Sequence, residues 1–175
     1  MRWELDIIRH LQAYQNCFFD MFFYFISIFS SILGVIFVFF LLFFLFKKYF
    51  SFIFLFCSII TTLTGYILKT VINRPRPYQV DLTILNKTNS LGKSYPSGHM
   101  ITGTLLVFFL CVFAIKKFKK TWQKVLTIVL GILYLVLLAI SRMYFGQHYV
   151  TDLLVGFLIS LFFSYAVHFV TSYFV

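Results

Sequence analysis

Five long apolar stretches divide the chain, at about 21–46, 49–68, 99–115, 124–142 and 153–175. Met21 to Phe46 contains no charged residue. At about 1.5 Å per helical residue such a run exceeds the roughly 30 Å hydrocarbon core of a bilayer, so it can span with some tilt. Ahead of it lies "RWELDIIRHLQAYQNCFF", in which Trp3, Ile7, Ile8, Leu11, Tyr14 and Phe18 recur at helical spacing. Arg2, Glu4, Asp6, Arg9 and Gln12 fall mostly elsewhere on the wheel. That pattern predicts an amphipathic helix lying in the membrane interface. The expected fold is all-α: a polytopic membrane helix bundle of about five spanning helices plus an N-terminal interfacial amphipathic helix. Residues 1–20 would form the interfacial helix and 21–175 the membrane-embedded core.

Composition agrees with the pattern. Of 175 residues 61% are hydrophobic, 26 are Phe and only 11% are charged, with mean hydropathy +0.94. A soluble globule of this size carries roughly 25% charged residues, so that class is excluded. A signal peptide fits poorly: Glu4 and Asp6 break the basic start, the apolar run is too long, and no small-residue cleavage site follows. Cys17, Cys57 and Cys111 are far apart and make no metal-ligand spacing, so they read as packing residues.

The formal net charge is +10. The cations cluster at the ends of apolar segments rather than in a stripe on a soluble surface. Lipid headgroups of the bilayer and anionic substrates suit that placement, and no nucleic-acid partner is expected. The short basic links Lys47–Lys48 and "KKFKKTWQK" (116–124) mark the cytoplasmic side. The loops 69–98 and 143–152, and the N-terminus, then share the extracytoplasmic side.

Three motifs fall on that side. "KTVINRPRP" (69–77) puts Lys69 at the end of the second span and Arg76-Pro77 after six intervening residues. Alone it is equally a snorkelling lysine and a basic loop. Two prolines two apart stiffen the backbone around Arg76. In "SYPSGHM" (94–100), Ser97 is a good N-cap for a helix starting near Gly98. A helix start offers unpaired N–H groups and the positive dipole end, an anion site that Gly98 leaves open and that His99 would border. A capped helix with an interfacial histidine is the plainer reading. In "SRMYFGQHYVTD" (141–152), Arg142 ends the fourth span. His148 and Asp152, four apart, would share one helical face. A carboxylate at one ring nitrogen fixes the tautomer and strengthens the other as a nucleophile. A structural His–Asp pair remains the alternative.

Span parity brings these motifs together. Lys69, Arg76, Ser97, Gly98, His99, Arg142, His148 and Asp152 all fall on one membrane face. Cations, a helix N-terminus and two imidazoles in one place match a phosphoryl group gaining charge toward its transition state. Lys-x6-Arg-Pro, Pro-Ser-Gly-His and Ser-Arg-x5-His-x3-Asp, with every fixed position present over 69–152, resemble the signature of the type-2 phosphatidic acid phosphatase superfamily.

The resemblance implies an integral membrane lipid phosphatase with its site on the extracytoplasmic face, in a bacterial inner membrane. His148 would attack phosphorus and form a phosphohistidine, with Asp152 orienting it. His99 would protonate the leaving oxygen and later activate water. Lys69, Arg76, Arg142, Ser97 and Gly98 would bind the phosphoryl oxygens. The substrate would be a membrane lipid phosphate: undecaprenyl diphosphate, lipid A 1-phosphate, phosphatidylglycerophosphate or phosphatidic acid. No cofactor and no metal are expected, because five acids in the chain make no carboxylate cluster for magnesium. Arg74, Lys87 and Lys93 read as solvated loop cations or as contacts to a second phosphate. Passing the group to another lipid, or binding lipid without chemistry, are the competing activities.

Overall fold

The computed structural model describes residues 2–45, 48–88 and 90–173, with side chains as far as Val170. Lys47 of the first basic link and the last two residues of the fifth apolar stretch lie outside the described residues. The described elements are α1 (Arg2–Ala13), α2 (Cys17–Ile28), α3 (Ile32–Leu45), α4 (Lys48–Ile72), the short α5 (Pro77–Val80), α6 (Gly98–Lys117), α7 (Thr121–Tyr144) and α8 (Val150–Tyr173). Among the described residues four helical segments are long and apolar enough to cross a membrane, or five if the bent pair α2–α3 counts as one span.

Local chemistry sets the helix ends. Asn16 caps α2, its side-chain oxygen accepting from Phe19 N at 2.9 Å. Asn73 terminates α4 with φ of 52°, the left-handed conformation that asparagine tolerates, and Pro75 prevents resumption. Ser97 caps α6, accepting from Met100 N at 3.4 Å.

The first apolar stretch is not one straight span. It breaks between Ile28 and Ile32 with a bend of 48°. The hydroxyls of Ser30 and Ser31 donate to Ser27 O at 3.0 Å and Ile28 O at 2.6 Å, competing with the backbone ladder. A Cβ on Gly34 would lie 1.8 Å from Phe29 O, so the break also needs a residue without one. α2 starts at Cys17, inside the stretch read as the interfacial helix.

α6 is the central helix, packed against α3, α4, α7 and α8. One core cluster joins Val38, Leu42, Phe50, Phe54, Leu105 and Phe109 in the half away from the loops. A second joins Met100, Leu135, Leu138 and Leu153 nearer the loops. The outer helix faces leave Phe40, Phe44, Phe56, Val129 and Phe162 exposed, a continuous apolar surface suited to acyl chains. α1 lies across the loop end. It buries Ile8 against Ile84 and Tyr149 and leaves Trp3, Ile7 and Tyr14 exposed. Ile8 thus faces protein rather than continuing the exposed stripe.

Candidate active site

All four helix ends that carry the motifs meet at one end of the bundle: the last turns of α4 and α7 and the first turns of α6 and α8. A cavity of about 620 Å³ opens there. Lys69, Arg76, Gly98, His99 and His148 line it, together with Pro96, Ser90 and Gln147. Its other wall is Ser30, Ser31, Ile32 and Leu33 at the α2–α3 bend and Thr62, Gly65 and Tyr66 on α4. The polar wall therefore continues into a side built from the apolar stretches. A Cβ on Gly98 would meet nothing within 4 Å, so the space over the α6 N-terminus is open.

The remaining three motif residues lie behind that wall. Ser97 is buried and its N–H donates to Asp152 O at 3.1 Å, pinning the start of α6 to α8. Asp152 is fully buried. Arg142 is buried and already committed: Nη1 donates to Gln147 Oε1 at 3.2 Å, Nε to Ser141 Oγ at 3.3 Å, and Nη2 to Ser27 Oγ. Arg76 is held as firmly. Its guanidinium donates to the carbonyls of Gly92 at 3.2 Å, Leu91 at 3.2 Å and Gln147 at 3.3 Å. Its backbone N–H donates to Gln79 Oε1 at 2.8 Å. Ser94 closes the loop beneath, its N–H donating to Arg74 O at 2.9 Å. Carbonyls fix these guanidiniums without neutralising them, which leaves their charge available to an anion.

His148 does not share a helical face with Asp152. It lies in the turn between α7 and α8, where Gly146 adopts φ of 70° and a Cβ would lie 2.5 Å from Leu85 O. α8 begins only at Val150, and Asp152 reaches back to cap it, Oδ2 accepting from Tyr149 N at 3.0 Å. The same Oδ2 is 3.6 Å from His148 Nδ1, just beyond hydrogen-bond length. The side chains still meet, through a cap rather than a helical turn. Burial pushes the His148 imidazole down to about 4; the Asp152 carboxylate pulls it upward, while Arg76 and Lys69 push it further down. His148 is therefore a neutral imidazole with one nitrogen toward Asp152.

Motif reading missed three residues. Gln147 holds both arginines, and its Nε2 donates to Ser90 Oγ at 2.7 Å. Arg74, read as a loop cation, is half-buried and ion-paired with Asp152 Oδ1 at 2.7 Å and Glu4 Oε2 at 3.1 Å. Lys87 is likewise engaged, with Asp20 at 2.6 Å. An acid spaced four from Ile8 on the first helix was the one available signal for Glu4. Among the described residues no three His, Cys, Asp or Glu side chains group as a metal site would need.

Residues 50–175 match the PAP2 superfamily. The chain is 29% identical over 145 residues to sphingosine-1-phosphate phosphatase 2 of Homo sapiens, covering 81% of this chain and 36% of that protein. It is 36% identical over 101 residues to phosphatidylglycerophosphatase B of Bacillus subtilis (strain 168), covering 57% of this chain and 47% of that protein. The chain thus spans less than half the length of either relative. Two crystal structures share the fold. A transmembrane PAP2 type phosphatidylglycerolphosphate phosphatase from Bacillus subtilis superposes with a TM-score of 0.86 at 21% identity, over 98% of this chain and 85% of that one. Aquifex aeolicus LpxE superposes with a TM-score of 0.78 at 22% identity, over 94% of each.

Proposed function

The chain belongs to the PAP2 superfamily, and from that premise we propose that it is an integral membrane lipid phosphatase working through a phosphohistidine on His148. The observation that carries this reading is that His99 and His148 line one cavity together with Lys69 and Arg76. The names of its relatives, a sphingosine-1-phosphate phosphatase and phosphatidylglycerophosphatases, support a lipid phosphate as substrate.

In the proposed reaction the phosphate enters between His99 and His148, with its oxygens against Lys69, Arg76 and the N–H groups at the start of α6. A small closure brings His148 Nδ1 within hydrogen-bond reach of Asp152, leaving Nε2 to attack phosphorus. Bond formation to Nε2 and cleavage of the ester leave a phosphohistidine, and His99 gives its proton to the departing oxygen. His99 then takes a proton from water, which attacks phosphorus and frees His148. Arg142 contributes its charge from behind the wall, and the Ser97 hydroxyl its cap and a donor. Acid–base help supplies about 10²–10⁴ in rate. Phosphate monoester hydrolysis can need acceleration approaching about 10²¹-fold, so most of the rest falls to positioning and charge. The donor set has no carboxylate cluster, and the reaction proposed needs no metal.

Lys48, Lys116, Lys117, Lys119, Lys120 and Lys124 gather at the end remote from the cavity. Basic links favour the cytoplasmic side, so we place the cavity on the extracytoplasmic face. α1 would then rest in the outer interface, Trp3, Ile7 and Tyr14 toward headgroups.

Purified protein in detergent, offered a panel of lipid phosphates, tests the reading. We expect phosphate release without an acceptor lipid, unaffected by excess chelator and inhibited by vanadate. Activity lost with chelator and restored by magnesium would remove the metal-free scheme. Release only when a second lipid is present would make the protein a phosphotransferase.

A further inference from the structure

Two of the five acids are buried, Glu4 and Asp152, and only the second belongs to a motif. Arg74 lies between them. Its Nη1 donates to Asp152 Oδ1 at 2.7 Å and its Nη2 to Glu4 Oε2 at 3.1 Å. The guanidinium stacks on the Tyr149 ring, Cζ 3.8 Å from the centroid. The other Glu4 oxygen accepts from Thr151 N at 3.0 Å and Thr151 Oγ1 at 2.8 Å. A carboxylate from the first helix thus sits on the first turn of α8, where the helix dipole favours it.

We propose that Glu4 and Arg74 are positioning residues that set the charge and orientation of Asp152, and through it of His148, making the N-terminal helix a working part of the active site. This rests on the reading of His148 as nucleophile.

Anchoring α1 does not account for the arrangement. Ile8 is already packed against Ile84 and Tyr149. Arg9 donates to Asp81 at 2.8 Å, and Gln12 donates to the carbonyls of Leu85 at 2.9 Å and Tyr144 at 3.0 Å. Burying two carboxylates around a half-buried guanidinium costs desolvation that apolar packing would avoid, so stability is a weak reason for them.

Charge gives a better reason. Asp152 alone with Arg74 would be a neutral pair, and the guanidinium would weaken the field of the carboxylate on the imidazole. Glu4 shares the guanidinium, so the trio keeps one net negative charge beside Nδ1. That charge stabilises His148 as it becomes cationic on bonding to phosphorus. From the other elements His148 faces His99 on α6 and the positive Arg76 and Lys69, and Asp152 is the opposing charge.

The test compares full-length protein in detergent as wild type, Glu4→Gln, Arg74→Gln, the double variant, Arg9→Gln and His148→Ala, measuring phosphate release against pH and substrate. Glu4→Gln is expected to lower kcat about 10- to 100-fold with KM unchanged, the scale of a displaced reacting group. It also moves the acid limb of kcat to lower pH, because a negative charge is gone. Arg74→Gln moves that limb to higher pH, and the double variant returns it toward wild type. Arg9→Gln, which frees α1 from Asp81 without touching the trio, changes neither. Limbs that stay put, limbs that move the same way, or a loss in Arg9→Gln equal to that in Glu4→Gln would each overturn the proposal. A wild type without phosphatase activity overturns the functional reading instead. The coupling is then read from melting temperature: Arg74→Gln alone, which strands Glu4, should melt below the double variant, and equal melting overturns it.

Discussion

The loop end of the bundle and the half remote from it are held together by different means. At the loop end, residues far apart in sequence are tied by directed contacts: Arg74 to Glu4 and Asp152, Arg142 to Ser27 and Gln147, and Lys87 and Tyr144 to Asp20 at 2.6 and 2.5 Å. In the remote half, rings and aliphatic chains interlock. Phe109 meets Phe50 at 5.5 Å and Phe54 at 5.2 Å between ring centroids, beside Val38, Leu42 and Leu105. Lipid offers little hydrophobic drive between helices, so close packing is the main hold on this half, and shape-conserving changes are tolerated there. Buried hydrogen-bonded charges tolerate far less, because removing one partner strands the other. The chemistry is proposed where position is fixed by direction rather than by volume.

Substitutions in the two regions should therefore separate activity from stability. The largest effect is expected from His148→Ala and His99→Ala, each lowering kcat by at least about 10⁴-fold with melting temperature unchanged. Phosphate release and thermal melting on the same preparations check this. Arg76→Lys keeps the charge but cannot reach the carbonyls of Gly92, Leu91 and Gln147 together. A fall of about 10²–10³ in kcat is expected, as for loss of one oxyanion donor. The pH profile comes next. A lowered His148 pKa keeps the imidazole neutral at every pH above about 4. Activity should hold as pH falls through 6.5, the ordinary histidine value, and then drop about tenfold per unit below about 4. An acid limb at the ordinary value would mean that another group is the nucleophile. Phe109→Ala should leave kcat per folded molecule unchanged while destabilising by about 3–5 kcal/mol, read as denaturant or thermal unfolding. A matching loss of kcat would erase the distinction between the two halves.

The sequence shows much of this because membrane spans are written in long apolar runs. Counting them places Lys69, His99, Arg142 and His148 on one face, and the structure brings their helix ends together. What stayed hidden has physical causes. The break at Ser30 and Ser31 sits inside a charge-free run, where two hydroxyls and Gly34 change direction without interrupting the apolar pattern. The pairing of His148 with Asp152 could be read from spacing, but not that Asp152 acts as a helix cap with His148 outside the helix. Glu4 and Arg74 are 70 positions apart. On an amphipathic wheel Glu4 looks like one polar residue among several, and its burial depends on where α1 lands. Gln147 carries no charge and no periodic signal, yet its carbonyl and side chain hold two arginines.

Trapping the phosphoenzyme tests the central claim most directly. A lipid labelled with radioactive phosphate is mixed with the protein, quenched in alkali and digested, and the labelled peptide is identified. An acid-labile, alkali-stable label is expected on His148, present in wild type and absent from His148→Ala. A label on any other residue, or steady turnover by His148→Ala, would contradict it.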